Sequence, residues 1–123
     1  MPHLVLEGAF DLARLLGLYQ PQVRRWGPAV LKTDHVWHRA DGEAALVEGV
    51  VVEHSRPLHP VALITSHHGD TIVRLWQLVP VERTLAVQRL LALVATDLHK
   101  MGAGPLRSTN LPAELWNDLD LNG

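Results

Sequence analysis

The sequence contains no cysteine, which excludes disulfides, thiolate nucleophiles and cysteine-ligated metals together. That absence fits a reducing compartment, and a cytoplasmic protein is expected. Lysine is almost missing as well, with Lys32 and Lys100 the only two among 11 basic residues. The formal net charge is −2, so the basic excess of a dedicated nucleic-acid binder is lacking. No long apolar run occurs: Leu90–Thr96 is the longest nearly uncharged one, far below the roughly 20 residues of a membrane span. Met1–Gly8 has neither the basic start nor the apolar stretch of a signal peptide. No membrane partner is therefore expected. No glycine-rich phosphate loop is present, because Gly102-Ala103-Gly104 follows a helical pattern instead of opening one. None of Ser55, Ser66 and Ser108 lies in a Gly-x-Ser-x-Gly context, and no cofactor is expected.

What remains is an ordinary globular composition, 47% hydrophobic and 20% charged over 123 residues, enough for one packed core. Glu43–His54 is the most strand-prone stretch, rich in valine and preceded by Asp41-Gly42, a strong hairpin signal. Ala29–Arg39, Val61–His67 and Thr71–Val79 read as further strands, and His3–Leu6 as a short first one. Phe10–Tyr19 has approximately helical spacing, and Gln22–Trp26 reads as a further helical turn. Ser55–Pro60 reads as a loop, since its two prolines interrupt a ladder. After Pro80 the period changes: Val87, Leu90, Leu91, Val94, Leu98 and Met101 form a helical stripe. The predicted fold is α+β, an antiparallel four- to five-stranded sheet in β-α-β-β-β-β-α order with a long C-terminal helix packed on one face. Residues 1–123 are read as a single domain, with 104–123 as a C-terminal tail or short docked helix.

Taking Asp41 and Gly42 as a two-residue turn sets Trp37 opposite Leu46, His35 opposite Glu48 and Thr33 opposite Val50. Pairing His54 with Val61 then sets Glu48 opposite His67, and a Gly69-Asp70 turn sets His67 opposite Ile72. One sheet face would carry Leu31, Thr33, Leu46, Val50, Val52, Leu63, Ile72 and Trp76 together with His35, Glu48, His67 and Arg74. The other would carry Val30, Val36, Val47, Val51, Ile64, Val73 and Leu75. Neither face is cleanly polar, so each calls for a cover.

His35, Glu48 and His67, with Arg74 nearby, are the catalytic candidates, since two imidazoles beside a carboxylate serve acid–base chemistry. The same three are weak candidates for a metal, although a structural polar network around Glu48 ranks ahead of either role and no metal is expected. Trp37, Trp76 and Arg74 are the ligand-binding candidates. Adjacent His67-His68, and His35 with His38, point to opposite faces of a strand and so do not form joint ligand pairs. Arg24-Arg25-Trp26 is the one basic-aromatic cluster, and in an acidic chain it reads first as a helix-end charge pair beside a docked indole. Three functions follow in rank order. The first is a binding or assembly module, homodimeric through a sheet face. The second is a small-ligand pocket between the sheet and the C-terminal helix. The third is a metal-assisted hydrolase or proton-transfer enzyme using His35, Glu48 and His67.

Overall fold

The computed structural model describes residues 1–122. Its strands are β1 (His3–Leu6), β2 (Gln22–Trp26), β3 (Ala29–His38), β4 (Ala44–Glu53), β5 (Arg56–Leu58), β6 (Val61–His67), β7 (Asp70–Leu75) and β8 (Leu106–Thr109). All eight belong to one antiparallel, curled half-barrel sheet ordered β2-β3-β4-β6-β7-β1-β8, with β5 also paired to β4. The helices are the short α1 (Ala13–Leu18) and the main α2 (Leu85–Lys100), and a single 3-10 turn spans Ala113–Leu115. The four- to five-stranded sheet predicted from the sequence is therefore too small.

Three segments make the difference. Gln22–Trp26, expected to be helical, is instead an edge strand: Gly27 takes φ +56° in the turn that sets Trp26 opposite Ala29, a glycine-first arrangement suited to a tight hairpin. An ion pair between Arg24 and Asp97 of α2 then fastens this edge to the helix. The Tyr19 hydroxyl also donates to Asp97, and burial pushes that phenol well above its ordinary pKa.

Arg56–Leu58, expected to be loop, pairs with the end of β4. His54 and Ser55 both adopt positive φ, so they form the two-residue turn, and Glu53 lies opposite Arg56. Pro57 faces Val52, the pair next to the hydrogen-bonded one, where a residue's N–H points away from its partner strand. The proline therefore costs the ladder nothing. β5 and β6 share one register on β4, with Gly49 N donating to Pro60 O at 2.9 Å between them. The last added strand, β8, lies in the expected tail and pairs with β1.

α2 starts where Thr84 Oγ1 accepts from Val87 N at 3.1 Å, a side-chain N-cap, four residues beyond Pro80. The expected stripe is buried at Val87, Leu90, Leu91, Val94 and Leu98. These residues cover the sheet face formed by Leu4, Leu6, Leu31, Thr33, Val47, Val51, Ile64 and Val73. Arg89, next to Leu90 on the same helix, is only 6% exposed although charged. The tail crosses over it, with Leu111, Leu115 and Leu121 buried in the same core.

Candidate functional site

The first hairpin holds its expected register at Trp37–Leu46 and His38–Ala45, then slips by one residue. A bulge between Thr33 and Val36 brings Thr33 opposite Gly49 and Leu31 opposite Val51. Leu31 and Thr33 thereby turn to the helix side, correcting their expected face, since one extra residue inverts the strand beyond it. The bulge also takes Asp34 and His35 out of the ladder.

The next two registers differ from expectation by even numbers, so faces are kept while partners change. Glu48 lies opposite Val61, not His67, and Leu46 lies opposite Leu63. His68-Gly69, both at positive φ, form the following turn, so His67 faces Asp70, not Ile72. His67 is six residues along β6 from Glu48's partner, which places it about 20 Å away at the rise of a strand. His35 Nδ1 does approach Glu48 Oε2, at 3.8 Å, and Asp34 Oδ2, at 3.6 Å, with all three side chains largely in solvent. The His35–Glu48–His67 group is thus not assembled, and no cluster of three metal-ligating side chains occurs among the described residues.

The ligand-binding candidates do come together. One cross-strand row on the face away from α2 runs Trp37, Leu46, Leu63, Arg74, His3. The adjoining row runs Ala44, Thr65, Ile72, Val5. Between these rows and Trp76 lies a cleft of about 450 Å³ whose floor is Leu46 and Leu63 and whose walls include Trp37, Trp76 and Arg74. A second, of about 780 Å³, is lined by Met1, His3, Val5, Arg39, Glu43, His67 and Ile72 among others. Arg39, Ala44, Thr65 and Arg74 border both. The pocket expected between sheet and helix is occupied instead by core: Leu90, Leu91 and Ile64 there are at most 2% exposed.

Electrostatically the two shared arginines differ. Arg39 is engaged by Asp41, at 2.6 Å from Nη2, and this hydrogen-bonded guanidinium holds the Asp41 carboxyl at about 2. Arg74 has no carboxylate within 4 Å among the described residues. Arg74, a half-buried residue with Leu63 and His3 as its cross-strand neighbours, is suited to a planar anion, which a guanidinium meets with two parallel N–H bonds. Trp37 is 57% exposed, and its Nε1–H donates to Glu48 Oε2.

Arg39 was legible in principle, because extending the Trp37–Leu46 register by two residues puts it on the same face. Met1, His3 and Val5 were not, since they reach the site only through the pairing of β1 with β7, and no local signal announces that contact. No helix of the described residues is long and apolar enough to cross a membrane. Comparison with protein-family models, with previously described proteins and with solved structures gave no match to this chain.

Proposed function

We propose that the protein is a binding module for a small organic anion with a flat apolar body, held in the paired clefts on the open sheet face. The observation that carries this reading is Arg74, a cation without an acidic partner among the described residues, beside Leu63 at the far end of the row from Trp37 in a cleft that Trp76 also lines. The indoles and leucines would take the apolar body and Arg74 the anionic end, a mostly apolar pocket with one placed charge. A cytoplasmic setting belongs to the same reading, supported by the cysteine-free sequence. Calorimetric titration with 2-naphthoate and its uncharged amide tests it. The acid is expected to bind about 10- to 100-fold more tightly, the value of hydrogen bonds to a charged group, and Arg74→Met to erase that preference. Equal binding of acid and amide, binding of neither, or an acid preference that survives in Arg74→Met would overturn it.

A second reading, self-association, is favoured by the extent of the apolar surface. Val50, Val52 and Val61 lie on the same face outside the clefts and are only half-buried. Sedimentation velocity is expected to show a dimer that Val50→Lys dissociates. A strict monomer at high protein concentration would rule it out.

A further inference from the structure

Trp37 forms a wall of the apolar cleft although more than half of its surface is in solvent. An indole standing on a strand with little packed against its outer side keeps two rotatable torsions, and a wall free to rotate does not define a pocket. Its ring N–H, however, is donated to Glu48 Oε2. Glu48 lines neither cleft. It is two residues beyond Leu46, which faces Trp37, and so is Trp37's diagonal neighbour on the same face, within reach of a long side chain. The bulge before Val36 contributes: an unbroken ladder would set His35 directly against Glu48, whereas here His35 stays 3.8 Å from the same oxygen that accepts the indole hydrogen bond.

We propose that Glu48 is a positioning residue for the cleft, fixing the Trp37 indole so that the gap between Trp37 and Trp76 matches a flat apolar body. This rests on the ligand-binding reading above and assigns Glu48 no contact with the ligand. The Glu48 carboxylate is a strong acceptor, and a hydrogen bond to a charged group is the kind able to hold an exposed side chain against rotamer entropy.

The test uses the indole region of a ¹⁵N–¹H NMR spectrum, where Trp37→Phe identifies the Trp37 signal and Trp26, Trp76 and Trp116 report on folding. In Glu48→Leu the Trp37 signal alone is expected to shift and to exchange faster with water, while affinity for 2-naphthoate falls about tenfold. In Glu48→Gln the amide oxygen still accepts, but without the charge, so both readouts should fall between wild type and Glu48→Leu. An unmoved Trp37 signal in Glu48→Leu overturns the positioning role, as does a Glu48→Gln protein that behaves like Glu48→Leu. Failure of the wild-type protein to bind 2-naphthoate overturns the ligand-binding reading instead, and the Trp37 signal then still decides whether Glu48 holds the indole.

Discussion

Gly49→Val is expected to destabilise the protein by about 3 kcal/mol or more, the upper range for overpacking a close-fitted core. Gly49 sits on the helix-facing side of β4, where α2 crosses the sheet. A Cβ there would collide with Leu90 Cδ2 and would lie 3.3 Å from Lys32 O and 3.4 Å from Pro60 O. Leu90 is 2% exposed, so its side chain is packed in the core, while the Lys32 carbonyl belongs to β3 and the Pro60 carbonyl to the link between β5 and β6, which holds Gly49 N. Either the helix lifts from the sheet or β4 parts from its neighbours. With urea m-values of roughly 1–3 kcal/mol/M, the unfolding midpoint should fall by at least about 1 M. Gly17→Ala supplies the contrast. That glycine lies in α1 with nothing within 4 Å of an added Cβ, so alanine should stabilise by up to about 1 kcal/mol through helix propensity. Similar midpoints for the Gly49→Val and wild-type proteins would mean that the helix does not seat on β4 at this point.

The second large effect is expected at Arg89. Its guanidinium donates to Leu115 O at 3.1 Å and to both Asp118 oxygens, at 2.6 and 3.0 Å, and its charge lies 5.9 Å from the centre of the Trp26 ring. One side chain thus joins α2, the edge strand β2 and the C-terminal tail. Arg89→Ala should cost about 3 kcal/mol, because it removes charge-assisted bonds and a buried aliphatic stem and leaves Leu115 O unpaired. Asp118→Asn should cost far less, because the amide oxygen still accepts from the guanidinium and the substituted side chain, 60% exposed, stands in water where an ion pair is worth little. Arg89 holds the Asp118 carboxyl below its ordinary pKa. Asp118 therefore contributes stability above its unfolded-state pKa, and that contribution is lost as the pH falls through the folded value. Thermal unfolding of both variants checks the asymmetry, and equal losses would show that the ion pair, not the buried arginine, fastens the tail.

The residues most visible in the sequence were those that obey a local period. The α2 stripe and the Asp41-Gly42 hairpin each depend on neighbours within a few positions, and Trp37–Leu46 follows directly from that turn. Trp37, Trp76 and Arg74 were reachable for the same reason: even-numbered register errors move a residue along a face without changing the face. His67 lost its place beside Glu48 through just such an error, because His54-Ser55 make a tight turn without the glycine or asparagine that usually marks one.

By itself the sequence determined the alternation of the central strands, the amphipathic stripe of the main helix and the exclusion of cysteine chemistry, since each is a property of residue types at short spacing. The tertiary structure alone decided that the sheet has eight strands among the described residues, that β1 and the Met1 before it lend Met1, His3 and Val5 to the larger cleft, and that a bulge turns Leu31 and Thr33 inward while leaving Trp37 out. Strands of three to five residues such as β2, β5 and β8 have too little intrinsic preference to declare themselves, and they form because a partner strand receives their hydrogen bonds. The choice of which sheet face α2 covers is equally non-local. Both faces are apolar, and the covered one is that on which Gly49 lets Leu90 approach the strand.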